Sequence, residues 1–181
     1  RGLSVNLLPS YASYRYDYGN SFRWYDSEDA NKQVITTYNI ASRLQYVELP
    51  IGVKYEILSG PFKPYVLIGG YYSILVDALK KVNTTGIDQA SGADSEISVT
   101  ELSVGVDDRI KPSNYGILGG IGFTQNLGNA RAGLEVNYRH GLPNLDNGEM
   151  KFIDNQLITG TYDVPDDFSM NNLSIIFQVI I

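Results

Sequence analysis

The segment from residue 131 to residue 139 alternates between polar and apolar side chains. The apolar positions are Ala132, Leu134, Val136 and Tyr138. The intervening positions are small, polar or charged: Arg131, Gly133, Glu135, Asn137 and Arg139. A β-strand with this pattern needs an apolar medium on one face and a polar space on the other. Similar segments with aromatic ends recur along the chain, which favours a transmembrane β-barrel with lipid outside and a polar interior.

Composition narrows the class of protein further. The 181 residues contain no run approaching the roughly 18 apolar residues of an α-helical span, so helical membrane insertion is excluded. The 14 tyrosines suit the aromatic girdles of a barrel. Without cysteine, the chain has neither a disulfide framework nor a thiolate metal site, and we expect no cofactor. A net charge of -6 argues against a nucleic-acid partner.

Six segments have the strand pattern, and the connections between them are of two kinds. The strands are predicted at 3–16, 37–57, 63–77, 114–124, 130–142 and 173–181, with an irregularity at Pro50 because proline cannot donate to the ladder. Tight turns are predicted at 58–61 and 125–129, and long polar loops at 17–33, 78–113 and 143–170. We expect a short hairpin over 97–106, outside the membrane. Such asymmetry is typical of outer-membrane barrels, with the turns periplasmic and the loops outside the cell.

The fold class is therefore all-β, an antiparallel up-and-down transmembrane β-barrel. Six recognisable strands are fewer than the eight of the smallest bacterial single-chain barrels. We expect two further strands N-terminal to Arg1, so that residues 1–181 are a single barrel domain lacking its N-terminal strands.

Several motifs carry a resemblance to a known family. Residues 46–55 read Y-V-E-L-P-I-G-V-K-Y, residues 63–65 read K-P-Y, and residues 138–142 read Y-R-H-G-L. With the Gly-rich strand around Gly120, these motifs resemble the PorT-like outer-membrane β-barrel family of Bacteroidota. The resemblance implies the outer membrane of a Gram-negative bacterium. Some members of that family are linked to type IX secretion or gliding machinery, and many have no known role.

Charged residues on the inward faces form a candidate lumen network. Its three acids and three bases are Glu48, Lys54, Glu56, Arg131, Glu135 and Arg139. Unpaired charge is costly in a lumen too narrow for bulk water, so this balance predicts a hydrogen-bonded plug rather than a conducting pore. If the second turn sets Gln125 opposite Ala130, Gly116 faces Arg139 and Gly120 faces Glu135.

Aromatic residues are predicted to mark the outer edge of the lipid belt. The candidate outer girdle consists of Tyr11, Trp24, Tyr115 and Tyr138. The aromatic cluster over residues 11–25 has a second interpretation as a patch that binds a partner. His140 is the only histidine and has no recognisable catalytic companion in the sequence, so we interpret it as an interfacial polar residue.

These observations lead to one functional hypothesis and two alternatives. The protein is predicted to be a non-enzymatic outer-membrane barrel that serves as a structural or accessory subunit of an envelope complex. Its expected partners are the outer-membrane lipid and other envelope proteins. The main alternative is a small-solute pore or ligand-binding barrel, and the second is a soluble lipocalin-like barrel.

Overall fold

The computed structural model describes residues 2–29, 32–91, 94–150, 157, 161, 163 and 166–180. These residues include eight β-strands and one short 3₁₀ helix. The strands are β1 (Gly2–Leu7), β2 (Ser10–Tyr25), β3 (Gln33–Glu56), β4 (Phe62–Asp88), β5 (Ser95–Gly105), β6 (Ser113–Leu127), β7 (Ala130–Gly141) and β8 (Asn171–Ile180). The 3₁₀ helix is Asp107–Arg109. Among these residues no helix is both long and apolar enough to cross a membrane.

All strand pairs are antiparallel, in the order β1-β3-β4-β6-β7-β8. Where β1 ends, β2 continues the pairing along β3. The first half of β4 pairs with β6 and its second half pairs with β5. Leu7 lies opposite Ile51 and Ser10 opposite Glu48, so β1 and β2 keep one register across the break at residues 8–9. The break faces Pro50, where an irregularity was predicted. With β1 and β2 counted as one strand, the sheet has the six predicted strands and β5 as a seventh.

The outward faces of these strands form a continuous apolar belt. Its members are exposed in the isolated chain, and they include Leu49, Ile51, Val53, Val66, Ile68, Ile74, Ile117, Ile121, Leu173, Ile175 and Phe177. Along β3 the outward residues change from Val47 to Gln45 and Arg43, which sets the upper limit of the belt. Predicted strand faces and observed faces agree here. Ile181, which was predicted to end the last strand, lies outside the described residues.

A charge placed on the belt is expected to destabilise the barrel. Ile121→Arg, at a position 66% exposed on β6, should cost about 2–4 kcal/mol near the bilayer midplane because the guanidinium must leave water for lipid. Ile87→Arg is the control, since Ile87 is also exposed but lies on β4 far above the belt, and we expect a change within about 0.5 kcal/mol. Urea unfolding in lipid vesicles measures both. Equal changes in the free energy of unfolding for Ile121→Arg and Ile87→Arg would contradict the membrane assignment.

Beyond the belt, the structure corrects two of the predicted loops. β2 continues to Tyr25, β3 begins at Gln33 and β4 continues to Asp88, so 17–33 and 78–113 are largely strand. The predicted hairpin over 97–106 is wrong because Ser95–Gly105 pairs with β4. These extensions bury an apolar core on their inner face: Tyr38, Ile40, Leu44, Tyr46, Ala78, Val82, Val106, Ile110, Leu145 and Leu157. The core therefore lies at the mouth of the barrel. Part of the third predicted loop, 143–170, lies outside the described residues.

A tight turn sets the register of β6 and β7. Gly128 has a φ of +69° between Leu127 and Ala130, which are paired, so the turn has two residues. Glu135 consequently lies opposite Gly122, and Arg139 opposite Leu118. The predicted pairs with Gly120 and Gly116 are wrong by two residues. Because the side-chain period of a strand is two, the shift leaves every side chain on its predicted face.

A register shift in the β3–β4 pairing corrects the orientation of one acid. The shift lies at Gln45 and Tyr46 and changes the alternation of β4. Asp77, predicted on the face of Ser73, therefore lies outside with Arg43 at 3.2 Å, whereas Ser73 is fully buried.

Candidate functional site in the lumen and at the mouth

The lower end of the lumen holds one acid between two bases. Glu56 lies 3.2 Å from Nζ of Lys63 and 3.5 Å from Nη1 of Arg131. Nε of Arg131 also donates to Oδ1 of Asn126, at 3.0 Å. Lys63 was not among the predicted network residues, although it is the second residue of β4 and lies on the inward face.

The middle of the lumen is a hydrogen-bonded cluster around Glu135, which is 4% exposed. Tyr65 donates to its Oε2 at 2.8 Å and Asn137 to its Oε1 at 2.9 Å. Gln178 on β8 donates to the Tyr65 hydroxyl at 2.8 Å. Nζ of Lys54 lies 3.9 Å from the centroid of the Tyr65 ring, in cation–π geometry. A phenol and an amide therefore donate hydrogen bonds to both carboxylate oxygens of Glu135.

A glycine makes room for this cluster. A Cβ at Gly122 would lie 2.6 Å from the Tyr65 ring, so the tyrosine fits only because the residue opposite Glu135 has no side chain. Any larger residue at this position would displace Tyr65 from the carboxylate.

Above the cluster lies a buried ion pair. Glu48 is 2% exposed, and its Oε2 accepts a charge-assisted hydrogen bond from Nη1 of Arg139. The hydroxyl of Tyr14 donates to its other oxygen at 2.6 Å. The guanidinium of Arg139 also lies over the ring of Tyr71, 6.0 Å from its centroid. The six predicted network residues therefore all line one lumen, at three levels.

A second charged cluster lies at the mouth, above the apolar belt. Nζ of Lys80 lies 2.6 Å from Oδ2 of Asp163 and 2.7 Å from the Tyr18 hydroxyl, which donates to Oδ1 of Asp163 at 2.7 Å. Burial, and then the hydrogen bond to Asp163, raises the pKa of the Tyr18 phenol above its ordinary value. The phenol therefore stays protonated and acts as a donor. Sequence reasoning missed this cluster because it placed residues 18 and 80 in loops.

The Tyr18–Lys80–Asp163 cluster borders a cleft of about 500 Å³. One wall is the inner face of β2, and the other is the segment that leads into β8. Aromatic, aliphatic and charged side chains line it, among them Tyr14, Tyr16, Tyr18, Leu44, Ile110, Phe168, Met170, Arg109 and Asp166. A smaller cavity of about 290 Å³ lies below, in the lumen between β1 and β8.

Three of the four predicted girdle residues, all of them tyrosines, lie on the outer surface. Tyr11, Tyr115 and Tyr138 are about half exposed and point outward. Trp24 does not join them. It lies thirteen residues beyond Tyr11 on β2, roughly 43 Å of strand, and on the inner face, where its ring stacks on Phe22 at 6.3 Å. Strand length and parity therefore place Trp24 in the extension above the membrane.

His140 lies at the upper end of β7. Its Nδ1 is 2.7 Å from Oδ1 of Asn171, at an exposed position. Of the residues that the structure describes, no group of three or more histidine and acidic side chains has the geometry to hold a metal ion.

An antiparallel sheet with an apolar exterior and a charged, hydrogen-bonded interior defines a transmembrane β-barrel protein. The sequence profile described as "Outer membrane protein beta-barrel domain" matches residues 1–147, and the chain belongs to this family. It is therefore a protein of the bacterial outer membrane, which replaces the soluble-barrel alternative. No curated protein and no solved structure gives a significant match.

Proposed function

We infer that this outer-membrane protein is a non-enzymatic, non-conducting barrel that serves as a structural or accessory subunit of an envelope complex. The observation that carries the proposal is the occupied lumen. Three levels of paired side chains, around Glu56, Glu135 and Glu48, occupy the interior between the strands, and Glu135 and Arg139 line the cavity of about 290 Å³ that lies among them. The buried side chains of Tyr46 and Leu44 follow above them. Function then resides on the outer surfaces.

The extension above the membrane supports a role in assembly. β2, β3, β4 and β5 continue as a four-stranded sheet beyond the apolar belt, with its own buried core. Its outer face is polar and carries exposed charges such as Arg23 and the Lys81–Glu101 pair. A rigid sheet with a charged outer face is a suitable platform for a protein partner. From the motifs at residues 46–55 and 138–142 we also propose that the chain is related to the PorT-like family, comes from a member of the Bacteroidota and is linked to type IX secretion.

Planar-bilayer recordings test the closed lumen. The wild-type barrel is expected to show no steady ion conductance, because paired side chains occupy the lumen at three levels. The double variant Tyr65→Ala/Glu135→Ala removes the middle cluster and should be leakier to small ions. Tyr115→Ala, on the lipid face, serves as the control. Steady conductance by the wild type would favour the pore.

Co-purification tests the assembly role separately. Cross-linking in native membranes, followed by quantitative mass spectrometry, should recover at least one envelope protein in a fixed ratio to this chain. Recovery of the barrel alone would contradict a subunit role even if the lumen proves closed.

A ligand-binding barrel is the second candidate, and one observation favours it. The cleft at the mouth has the volume of a small-molecule pocket, which is typically 300–1,000 Å³.

A further inference from the structure

We propose that the cleft at the mouth binds a neutral carbohydrate. The inference does not depend on whether the barrel is a subunit of a complex. Its first support is position. The cleft lies above the apolar belt, on the side of the barrel where the long extensions are, so its occupant comes from outside the cell.

The walls of the cleft offer aromatic rings at the spacing of a stacking platform. Tyr16 is 37% exposed, and its ring lies parallel to that of Tyr18, with centroids 6.1 Å apart. On the opposite wall, the ring of Phe168 is also 6.1 Å from Tyr16. Tyrosine presents a rigid apolar face with a polar tip. Sugar rings have the complementary form, with apolar C–H faces and hydroxyl edges.

The charges of the cleft explain why the ligand is neutral. The side chains of Lys80 and Asp163 are 8% and 3% exposed, and they form an ion pair at 2.6 Å. The hydroxyl of Tyr18 donates a hydrogen bond to the second carboxylate oxygen of Asp163. A buried pair of this kind is weak evidence for stability because desolvation offsets its attraction. It does present a fixed dipole that offers hydrogen bonds while its two charges cancel. Of the remaining charged lining residues, Arg109 and Asp166 are of opposite sign, whereas Arg15 is in register with Arg43 and has its side chain on the outer face of β2.

A ligand with a net charge would therefore lie about as close to a side chain of its own sign as to one of the opposite sign. A purely apolar ligand would leave the polar atoms of Lys80 and Asp163 covered without new hydrogen bonds, which is costly. A neutral ligand with many hydroxyl groups avoids both penalties. Carbohydrates are the abundant extracellular ligands with this chemistry.

The test is a binding assay with defined probes. The intact barrel is placed in nanodiscs of phosphatidylcholine, because alkyl-glycoside detergents would compete through their sugar headgroups. The neutral probes are maltotriose, cellotriose and mannotriose. The charged probes are trigalacturonate and the trimer of glucosamine. Saturation-transfer NMR and calorimetry report binding.

We expect saturable binding of at least one neutral trisaccharide, and weaker binding of both charged ones. Tyr16→Ala should weaken that binding at least tenfold, whereas Tyr16→Phe, which keeps the ring, should stay within about threefold. Tyr25→Ala is the matched control. Tyr25 is an exposed tyrosine of the same strand, but it points outward and should leave affinity unchanged.

Several outcomes would overturn the proposal. They are no binding of any neutral trisaccharide, tighter binding of a charged one, or equal affinities of wild type and Tyr16→Ala in protein that keeps its folded gel mobility. A heptapeptide of alternating threonine and valine probes, as a strand-addition site, the edge of β2 that has no partner among the described residues. Binding of that peptide without sugar binding would assign the cleft to a polypeptide instead.

Discussion

Glu48→Ala is expected to destabilise the folded barrel by about 3–5 kcal/mol, because it leaves the Arg139 guanidinium in the lumen without its carboxylate. Glu48 is 2% exposed, and the side chain of Arg139 is 12% exposed. The hydroxyl of Tyr14 loses its acceptor in the same variant. Urea unfolding in vesicles, followed by gel mobility, gives the free energy of unfolding.

A surface pair of the same chain supplies the control. Glu101 lies 2.5 Å from Lys81, but both side chains are more than 40% exposed, so Glu101→Ala should cost less than about 1 kcal/mol. The double variant Glu48→Ala/Arg139→Ala should cost less than the sum of the single variants, since it removes both charges. Additive losses, or a Glu48→Ala cost no larger than that of Glu101→Ala, would show that the pair is not coupled.

The membrane half of this fold was predictable from the sequence, and the half above it was not. Within the belt, each strand has lipid on one face and lumen on the other, so alternation is clear, as at Val47 to Tyr55. Above the belt, the outer face meets water and becomes polar. The inner row of Tyr38, Ile40 and Leu44 keeps the same period. Polar outer residues made these segments resemble loops, although their inner faces build the core.

The candidate site divides in the same way. Parity alone assigned the six charged residues to the lumen, because an inward position stays inward under any even shift of register. The partners of those residues depend on the register itself, which the two-residue turn at Gly128 sets. They also depend on uncharged side chains such as Tyr65 and Gln178, which pattern reasoning assigns no role. Trp24 was misplaced because its strand is longer than its polar sequence indicates.

The edges of the sheet bear on the predicted strand number. β1 and β8 each pair on one side only among the described residues. In lipid, every unpaired backbone N–H or C=O group costs several kcal/mol, so these edges must have partners. Counting along the sheet, β1 and β8 run in opposite directions, so only an even number of added strands closes an antiparallel barrel. The two strands predicted before Arg1 remain a proposal that satisfies this parity and reaches the usual minimum of eight.

Disulfide trapping in the native membrane distinguishes closure through two added strands from direct contact of β1 with β8. The 181 residues contain no cysteine, so within them only the introduced cysteines can form a disulfide. Val5→Cys/Val53→Cys is the positive control, because these residues are register partners in β1 and β3, with Cα atoms about 4.5–5.5 Å apart in an antiparallel pair. Val5→Cys is then combined with cysteine at Leu173, Ile175, Phe177 or Val179 of β8.

Two intervening strands separate β1 from β8 by three strand spacings, or about 14 Å, which is beyond the reach of about 7 Å for a disulfide. We therefore expect the control pair to form a disulfide and none of the four β1–β8 pairs to do so. A disulfide between β1 and β8 of one chain would show that six strands close directly. A disulfide between two chains would show that a second copy pairs the edges, and either result would reject the two added strands.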